Sequence, residues 1–478
     1  MICRNCGNKL EKSANFCNKC GKSLTSFNRK KSNKIIIIFV ILVFMLSISY
    51  YGYNIVMKKN EEAKLNEERI AKLNEEKQAK INELIEDIKS HYSNNVIVSK
   101  DTDLIDDKGN VVGTVYKNSA IKLNDIDINE NTKYFSIENL NYNIDYKSVM
   151  KNDNNSEKIR KLSKEKRYKH YIPYNKNLVT KDVYSLYYKG NKVYTFNRSD
   201  TYPIIINNYE DYYYVEFNNK LYSINKNDIK EIVYNDNTTK KNKSYITTLC
   251  YHRIYDTNDN CSSSALCIKK ENFDTQMKYL KDNDYFTLTS EEMYMYISGN
   301  LQIEKGVFVT LDDGWLLAGA IEVFDKYDLN GVSFTATYRI EDGSFSLEKT
   351  YNSDNIEVQS HTHNMHRNWV CSKSLSKIGS SSQGGAILCE KEEDIVNDLK
   401  KSITIIDDLG KNKTIALAYP FYDFNDRAIT LIKKSGLKMA FTGAYSKKGR
   451  AVVGNDPYII PRIPIRATTS FSSFKNYL

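Results

Sequence analysis

The stretch KGVFVTLDDGW, Lys305 to Trp315, decides how the chain is read. Val307 to Leu311 is an apolar, β-branched run that predicts a buried strand, and Gly314 ends it. Asp312 and Asp313 stand where that strand opens into a loop. Successive side chains on a strand point to opposite faces, so the two carboxylates meet different surroundings. In a parallel α/β barrel the C-terminal strand ends carry the chemistry. A carboxylate pair at such an end suits one metal ligand and one proton acceptor. Asp-Gly is also ordinary turn chemistry, and taken alone the pair reads as a turn.

A second cluster changes that balance. EVQSHTHNMHR, Glu357 to Arg367, holds His361, His363 and His366, three of only six histidines in 478 residues. A short strand, Ile356 to Gln359, runs into it. Imidazole plus carboxylate at strand ends is a ligand set for zinc or another divalent metal; a His-rich surface loop is the competing reading. Upstream, SYITTLCYHRIYD gives a strand from Tyr245 to Cys250 that ends in Tyr251 and His252. A single histidine at a strand end is equally a structural residue.

With these motifs quoted, a family resemblance follows. TLDDG resembles the TFDDG motif of the polysaccharide deacetylases (carbohydrate esterase family 4, the NodB-like homology domain), and SHTHNMH resembles their metal-binding histidine motif. The resemblance implies a metal-dependent N-deacetylase on a distorted (β/α) barrel, with Asp313, His361 and His366 as metal ligands and Asp312 as the catalytic base. Met365 stands where the usual spacing places the second histidine. The longer spacing to His366 is similar to the poly-β-1,6-N-acetylglucosamine deacetylase branch. His363 is the competing ligand. YHRI resembles the opening motif of the same branch, which implies His252 as general acid; no histidine follows His366 to fill that role from the C-terminal side. Ala418, Tyr419, Pro420 and Phe421 correspond to the family's RPPY-like third motif with alanine in place of arginine, and imply the Phe421 backbone N–H as oxyanion donor. Arg462 in PRIPI is a candidate partner for the base. The ligand set accepts zinc, cobalt or nickel.

The rest of the chain is modular. A length of 478 residues implies several domains. Cys3, Cys6, Cys17 and Cys20 form CxxC-x10-CxxC, which predicts a zinc ribbon over residues 1–24 with a structural zinc; a disulfide pair or redox motif is the minor alternative. A basic linker, 25–34, precedes an uncharged apolar run, 35–56, long enough to cross a bilayer. Nine Lys/Arg against the single acid Glu11 place eight of the ten net positive charges before that run. The large domain therefore has no broad cationic field, and no nucleic acid partner is expected. The basic flank and the free thiols predict a single-pass protein of the cell membrane, with its N-terminus cytoplasmic and its catalytic domain extracellular. AKLNEE at Ala63 and Ala71 and AKINEL at Ala79 predict a helical stalk over 58–92.

Residues 96–150 and 170–234, joined by a charged linker at 151–169, are a degenerate repeat. VSKDTDLIDDKGNVVGTV at Val98 parallels VTKDVYSLYYKGNKVYTF at Val179. Two small all-β barrels follow, and their pattern resembles bacterial SH3-like domains, which implies contact with the cell wall. Their tyrosines suit a sugar-stacking face or a plain β core and spacer equally. From 244 to 478 strands and amphipathic helices alternate, as in a barrel. Five cysteines follow the apolar run, Cys250, Cys261, Cys267, Cys371 and Cys389, and their odd number leaves one unpaired within the chain. The function expected is a membrane-anchored N-deacetylase acting on N-acetylglucosamine residues of an exopolysaccharide or peptidoglycan. The alternative is a non-catalytic wall-binding or sensory membrane protein.

Overall fold

Ten residues separate Cys6 from Cys17, too few for a conventional core, so the head folds around its thiols. The computed structural model describes residues 1–24, 32–91, 94–124, 133–150, 167–235, 245–256, 261, 265–368, 392–422, 424–443 and 449–478. It divides into two units, Met1–Glu86 and Asp87–Leu478. In the first, β-bridges Ile2–Lys9 and Phe16–Ser23 frame two knuckles, with Gly7 and Gly21 in the left-handed region. Cys3 Sγ lies 3.7 Å from Cys20 Sγ, and Cys6 Sγ lies 3.6 Å from Cys17 Sγ. Its apolar cluster holds little beyond Cys3, Leu10 and Cys17, too little to fold without a metal.

Helix α1 (Ser32–His91) follows, 60 residues without a break. It is long and apolar enough to cross a membrane. Its side chains from Ile37 to Met57 include a run of exposed large hydrophobics, a surface that water disfavours. The expected linkers lie mostly outside the described residues, at 25–31 and 151–166.

In the second unit the two β repeats share one antiparallel sheet of nine strands. The expectation of two separate barrels did not anticipate this join. Strand Val111–Val115 of the first repeat pairs with Asn191–Phe196 of the second, matching Val115 with Tyr194 and Gly113 with Phe196. Glycine is needed at the seam, because a Cβ on Gly113 would stand 2.2 Å from the Thr195 carbonyl oxygen. Each repeat also contributes a three-stranded sheet of its own.

The C-terminal domain is a closed barrel of seven parallel strands: β1 (Ile246–Tyr251), β2 (Gly306–Leu311), β3 (Gly331–Thr335), β4 (Ile356–Ser360), β5 (Ala416–Ala418), β6 (Met439–Gly443) and β7 (Ile460–Pro464). They run in that order, and β1 closes the ring by pairing with both β7 and β2. Alternation explains the two cores. Val307, Val309 and Leu311 pack in the cluster that includes Phe273, Met277, Ile321 and Phe324 of helices α2 (Lys270–Asp282) and α3 (Ala318–Tyr327). Phe308 faces the other way and stacks on Phe441, with ring centroids 5.0 Å apart. Helices α4 (Glu392–Asp407) and α5 (Asp426–Ser435) cover β4 to β6 through a third cluster around Leu399, Leu417 and Leu431. Cys261 and Cys267 form a disulfide, Cys250 is a buried free thiol, and Cys371 and Cys389 lie outside the described residues.

Candidate active site

Strand parity carries Asp312 into the barrel mouth. Phe308 and Thr310 face inward on β2, so the next residue of that parity, Asp312, does too. On β7, Arg462 shares the inward face of Ile460. The guanidinium of Arg462 donates to both carboxylate oxygens, Nη1 to Oδ1 at 2.7 Å and Nη2 to Oδ2 at 2.8 Å. Both residues are fully buried, at 0% and 2% exposure. Burial alone pushes a carboxyl up, but Arg462, with His361 and His252 nearby, holds Asp312 well below the usual carboxylate range. Phe334, Tyr422 and Phe441 surround the guanidinium with ring faces, at 5.3 to 5.9 Å.

Asp313 belongs to the opposite parity and reaches its partners by a backbone twist. Its φ is +73°, followed by Gly314 at +73°. A Cβ on Gly314 would press on Thr335 at 2.6 Å. Asp313 Oδ1 thereby comes within 3.7 Å of His361 Nε2 and 3.5 Å of His366 Nε2. Burial raises this carboxyl and the three histidines His252, His366 and His361 lower it, with a net downward shift.

His361 follows the end of β4. Its Nδ1–H donates to the Ala418 carbonyl at 2.8 Å, which fixes the tautomer and leaves the Nε2 lone pair facing Asp313. His366 stands in the short turn Met365–Asn368, with its ring stacked on Phe421 at 5.0 Å and 10°. Burial and the neighbouring His361 push His366 down to about 4, so its imidazole is neutral near pH 7. His363 turns away: its Nδ1 meets Thr337 Oγ1 at 3.0 Å and its Nε2 lies 3.6 Å from Glu341. Asp398 on α4 pins this loop by accepting from the backbone N–H groups of His363 and Asn364.

A divalent ion fits the first group. The ligand atoms of Asp313, His361 and His366 all lie within 4.8 Å of one another. Bonds of about 2.0–2.2 Å to a tetrahedral ion set donor atoms roughly 3.3–3.6 Å apart. Cys250, His252 and Asp312 form a neighbouring group. Cys250 Sγ lies 3.5 Å from both Asp312 Oδ2 and the Tyr422 hydroxyl. Burial pushes the Cys250 thiol up to about 12, so it stays protonated and is a poor metal ligand. His252 is buried, its Nδ1 has no hydrogen-bond partner, and burial lowers its pKa.

Four non-glycine residues at this mouth hold left-handed backbone: Asp313, Thr362, Phe421 and Tyr422, with φ from +59° to +73°. For β-branched Thr362 this is a marked departure, and such strain clusters at functional sites. Sequence reading did not single out Cys250 or Tyr422 as site residues, nor Arg253 and Trp315. The Arg253 guanidinium lies 4.3 Å from the Trp315 ring centroid and 3.7 Å from Asp313. Their nearness in sequence to His252 and to the Asp pair was the available signal.

Residues 300–440 match the polysaccharide deacetylase family, and residues 2–24 match the zinc-ribbon domain. The barrel is thus a polysaccharide deacetylase domain, from a family of hydrolases, and the head is a zinc ribbon. Poly-beta-1,6-N-acetyl-D-glucosamine N-deacetylase of Staphylococcus aureus is 29% identical over 210 residues, covering 41% of this chain and 67% of the relative. The Staphylococcus epidermidis protein of the same name is 28% identical over 208 residues with the same coverage. Among solved structures, the Streptococcus pyogenes deacetylase PplD in complex with acetate superposes with a TM-score of 0.41 and 23% identity, over 50% of this chain and 99% of that one.

Proposed function

We propose that the protein is a membrane-anchored, metal-dependent N-deacetylase that removes acetyl groups from N-acetylglucosamine residues of a cell-surface polymer. The observation that carries this reading is the convergence of Asp313, His361 and His366 beside an Asp312 that Arg462 keeps ionised. A divalent ion on those three ligands, zinc before cobalt or nickel, would polarise the acetyl carbonyl as a Lewis acid and acidify a water.

The chain's own groups supply the proton transfers. Asp312 accepts the proton of the attacking water. Arg462 keeps that carboxylate charged and fixes its plane, so the acceptor lone pairs are set before substrate arrives. The Phe421 N–H, in the left-handed turn after β5, donates to the acetyl oxygen as negative charge develops there. His252 delivers a proton to the departing amine, without which an amide nitrogen leaves poorly. Its burial makes the imidazolium a stronger acid than one in water. His366, half-buried and neutral, and His361, whose Nε2 faces Asp313, are suited to bind metal rather than to carry protons.

The polymer identity follows the two staphylococcal relatives, which are named for poly-β-1,6-N-acetylglucosamine. The helix Ser32–His91 is the anchor, with the ribbon and its structural zinc on Cys3, Cys6, Cys17 and Cys20 in the cytoplasm and the barrel outside. The SH3-like repeats serve as the wall-facing arm. Mass spectrometry of β-1,6-linked N-acetylglucosamine oligomers and of peptidoglycan fragments tests the substrate. The expected result is a loss of 42 Da per site (an acetyl replaced by hydrogen, about the mass of ketene), faster on the β-1,6 oligomer and absent with Asp312→Asn. No mass change on either polymer by metal-loaded protein refutes the proposal.

A further inference from the structure

Three adjacent strands of the barrel each send one residue to the same arc of its mouth. Arg253 follows His252 at the end of β1 and opens the strand Arg253–Tyr255. Trp315 lies in the loop after β2, and Arg339 stands in the short helix Tyr338–Glu341 after β3. The indole gathers the two guanidiniums: Arg253 lies 4.3 Å from its ring centroid and Arg339 5.2 Å. Trp315 keeps 37% of its surface exposed. At the lip of a polysaccharide site, an indole open to water is a contact surface for a sugar ring. The turn that presents it, with Asp313, Gly314 and Leu316 all at positive φ, is the one that swings Asp313 toward the histidines.

This rim is cationic. Among the described residues Arg253 has one ion pair, to Asp313 Oδ2 at 3.7 Å, and Arg339 has none. The other carboxylates nearby are engaged elsewhere. Asp312 is held by Arg462, Glu341 meets Lys401 at 3.1 Å and lies beside His363, and Asp342 accepts the Ser344 N–H. The imidazoles nearest the same space are His252, His361 and His366. Two guanidiniums against one carboxylate leave a positive field over Trp315, and a guanidinium does not lose its proton at any working pH.

The reaction itself creates the charge on which this field acts. An N-acetylated sugar is neutral, whereas its hydrolysis leaves an amine that takes up a proton below about pH 7.7–8, as an α-amino group does. We propose that Arg253 and Arg339 are specificity-determining residues that disfavour a chain whose neighbouring sugar, the one against Trp315, is already deacetylated. Acetyl groups are then removed at intervals along the polymer rather than in runs. The inference rests on the deacetylase reading and adds to it the pattern of the product. Neither arginine touches the reacting atoms; both act through charge on the adjoining sugar. Like charges a few ångströms apart in a partly desolvated cleft weaken binding by roughly three- to tenfold.

The test uses the full chain in neutral detergent micelles and two β-1,6-linked N-acetylglucosamine tetramers, one fully acetylated and one with a single free amine. Calorimetry on metal-free protein gives the ratio of the two affinities, which cancels any general loss of binding. At about pH 6.5 the amine-bearing tetramer should bind roughly three- to tenfold more weakly, and at about pH 9.5, where the amine is neutral, the two should bind alike. Arg339→Gln should bring the ratio at the lower pH close to one, and Arg339→Lys, which keeps the charge, should restore it. Tandem mass spectrometry of polymer treated with metal-loaded protein should show isolated glucosamines, and adjacent pairs with Arg339→Gln. Equal affinities at about pH 6.5, or a ratio that Arg339→Gln leaves unchanged, overturns the proposal. So does a product rich in adjacent glucosamines from the unaltered chain. If no acetyl group is released at all, the deacetylase reading fails and takes the product pattern with it, whereas the affinity ratio still decides the charge discrimination.

Discussion

The four-cysteine head and the barrel mouth both gather metal-type ligands, and they do it in opposite ways. In the head, Cys3, Cys6, Cys17 and Cys20 come from two local turns and close around one point, leaving no ligand position for substrate. In the barrel, Asp313, His361 and His366 come from the ends of two strands almost fifty residues apart, and among the described residues three protein ligands converge. A closed set of four suits structure; an open set of three, with a charged carboxylate beside it, suits chemistry. The difference also separates their supports. The head has almost no apolar core, whereas the mouth sits on a packed barrel whose strained turns are held by neighbours.

The sharpest way to break that contrast is to remove ligands on each side. Asp313→Ala or His361→Ala should abolish metal uptake at the barrel and reduce acetate release to background, whereas Cys6→Ser with Cys17→Ser should unfold the head and leave acetate release unchanged. Metal stoichiometry by mass spectrometry and an acetate assay together read both. Next in size is His252→Ala. It should retain the barrel metal and lose roughly 10²–10⁴-fold in kcat, the range of a general acid. Full activity in that variant would remove its acid role.

A third effect is on stability. Arg462→Ala leaves Asp312 buried without its partner, which costs about 3–5 kcal/mol; a urea midpoint measures it, and Asp312→Asn in the same background should recover part of the loss. The smallest is a pH effect on metal-free protein. The ordinary histidine value is 6.5 and burial takes His366 to about 4. Between those values the unfolded chain binds a proton that the folded one excludes, so stability should rise with pH across that window. His366→Gln should flatten the rise. Tryptophan fluorescence reports it, because both tryptophans, Trp315 and Trp369, lie in the barrel half of the sequence.

These sites differ as well in how far the sequence disclosed them. The thiol ligands are local, so their spacing is nearly their geometry. The Asp pair and the histidine run are also local signals, but strand alternation would place His361 and His363, two residues apart, on one face; the strand ends at Ser360 and the left-handed Thr362 between them sends the two rings to different partners. What alternation does not give is which parity faces inward, and so only the closed barrel places Cys250 and Tyr422 against Asp312. The Arg462–Asp312 pair spans 150 residues, and sequence offered Arg462 only as a candidate. Left-handed backbone at Thr362 has no sequence signature, since threonine disfavours it. The seam between the β repeats depends on Gly113 meeting Thr195, a contact between two separate copies that a repeat pattern read one copy at a time does not predict.

Acetate released from a β-1,6-linked N-acetylglucosamine oligomer, measured on the full chain before chelation, after it and after zinc is restored, tests the central claim most directly. The account predicts release, its loss, and its return, with Asp313→Ala silent throughout. Release that survives both chelation and Asp313→Ala would contradict it.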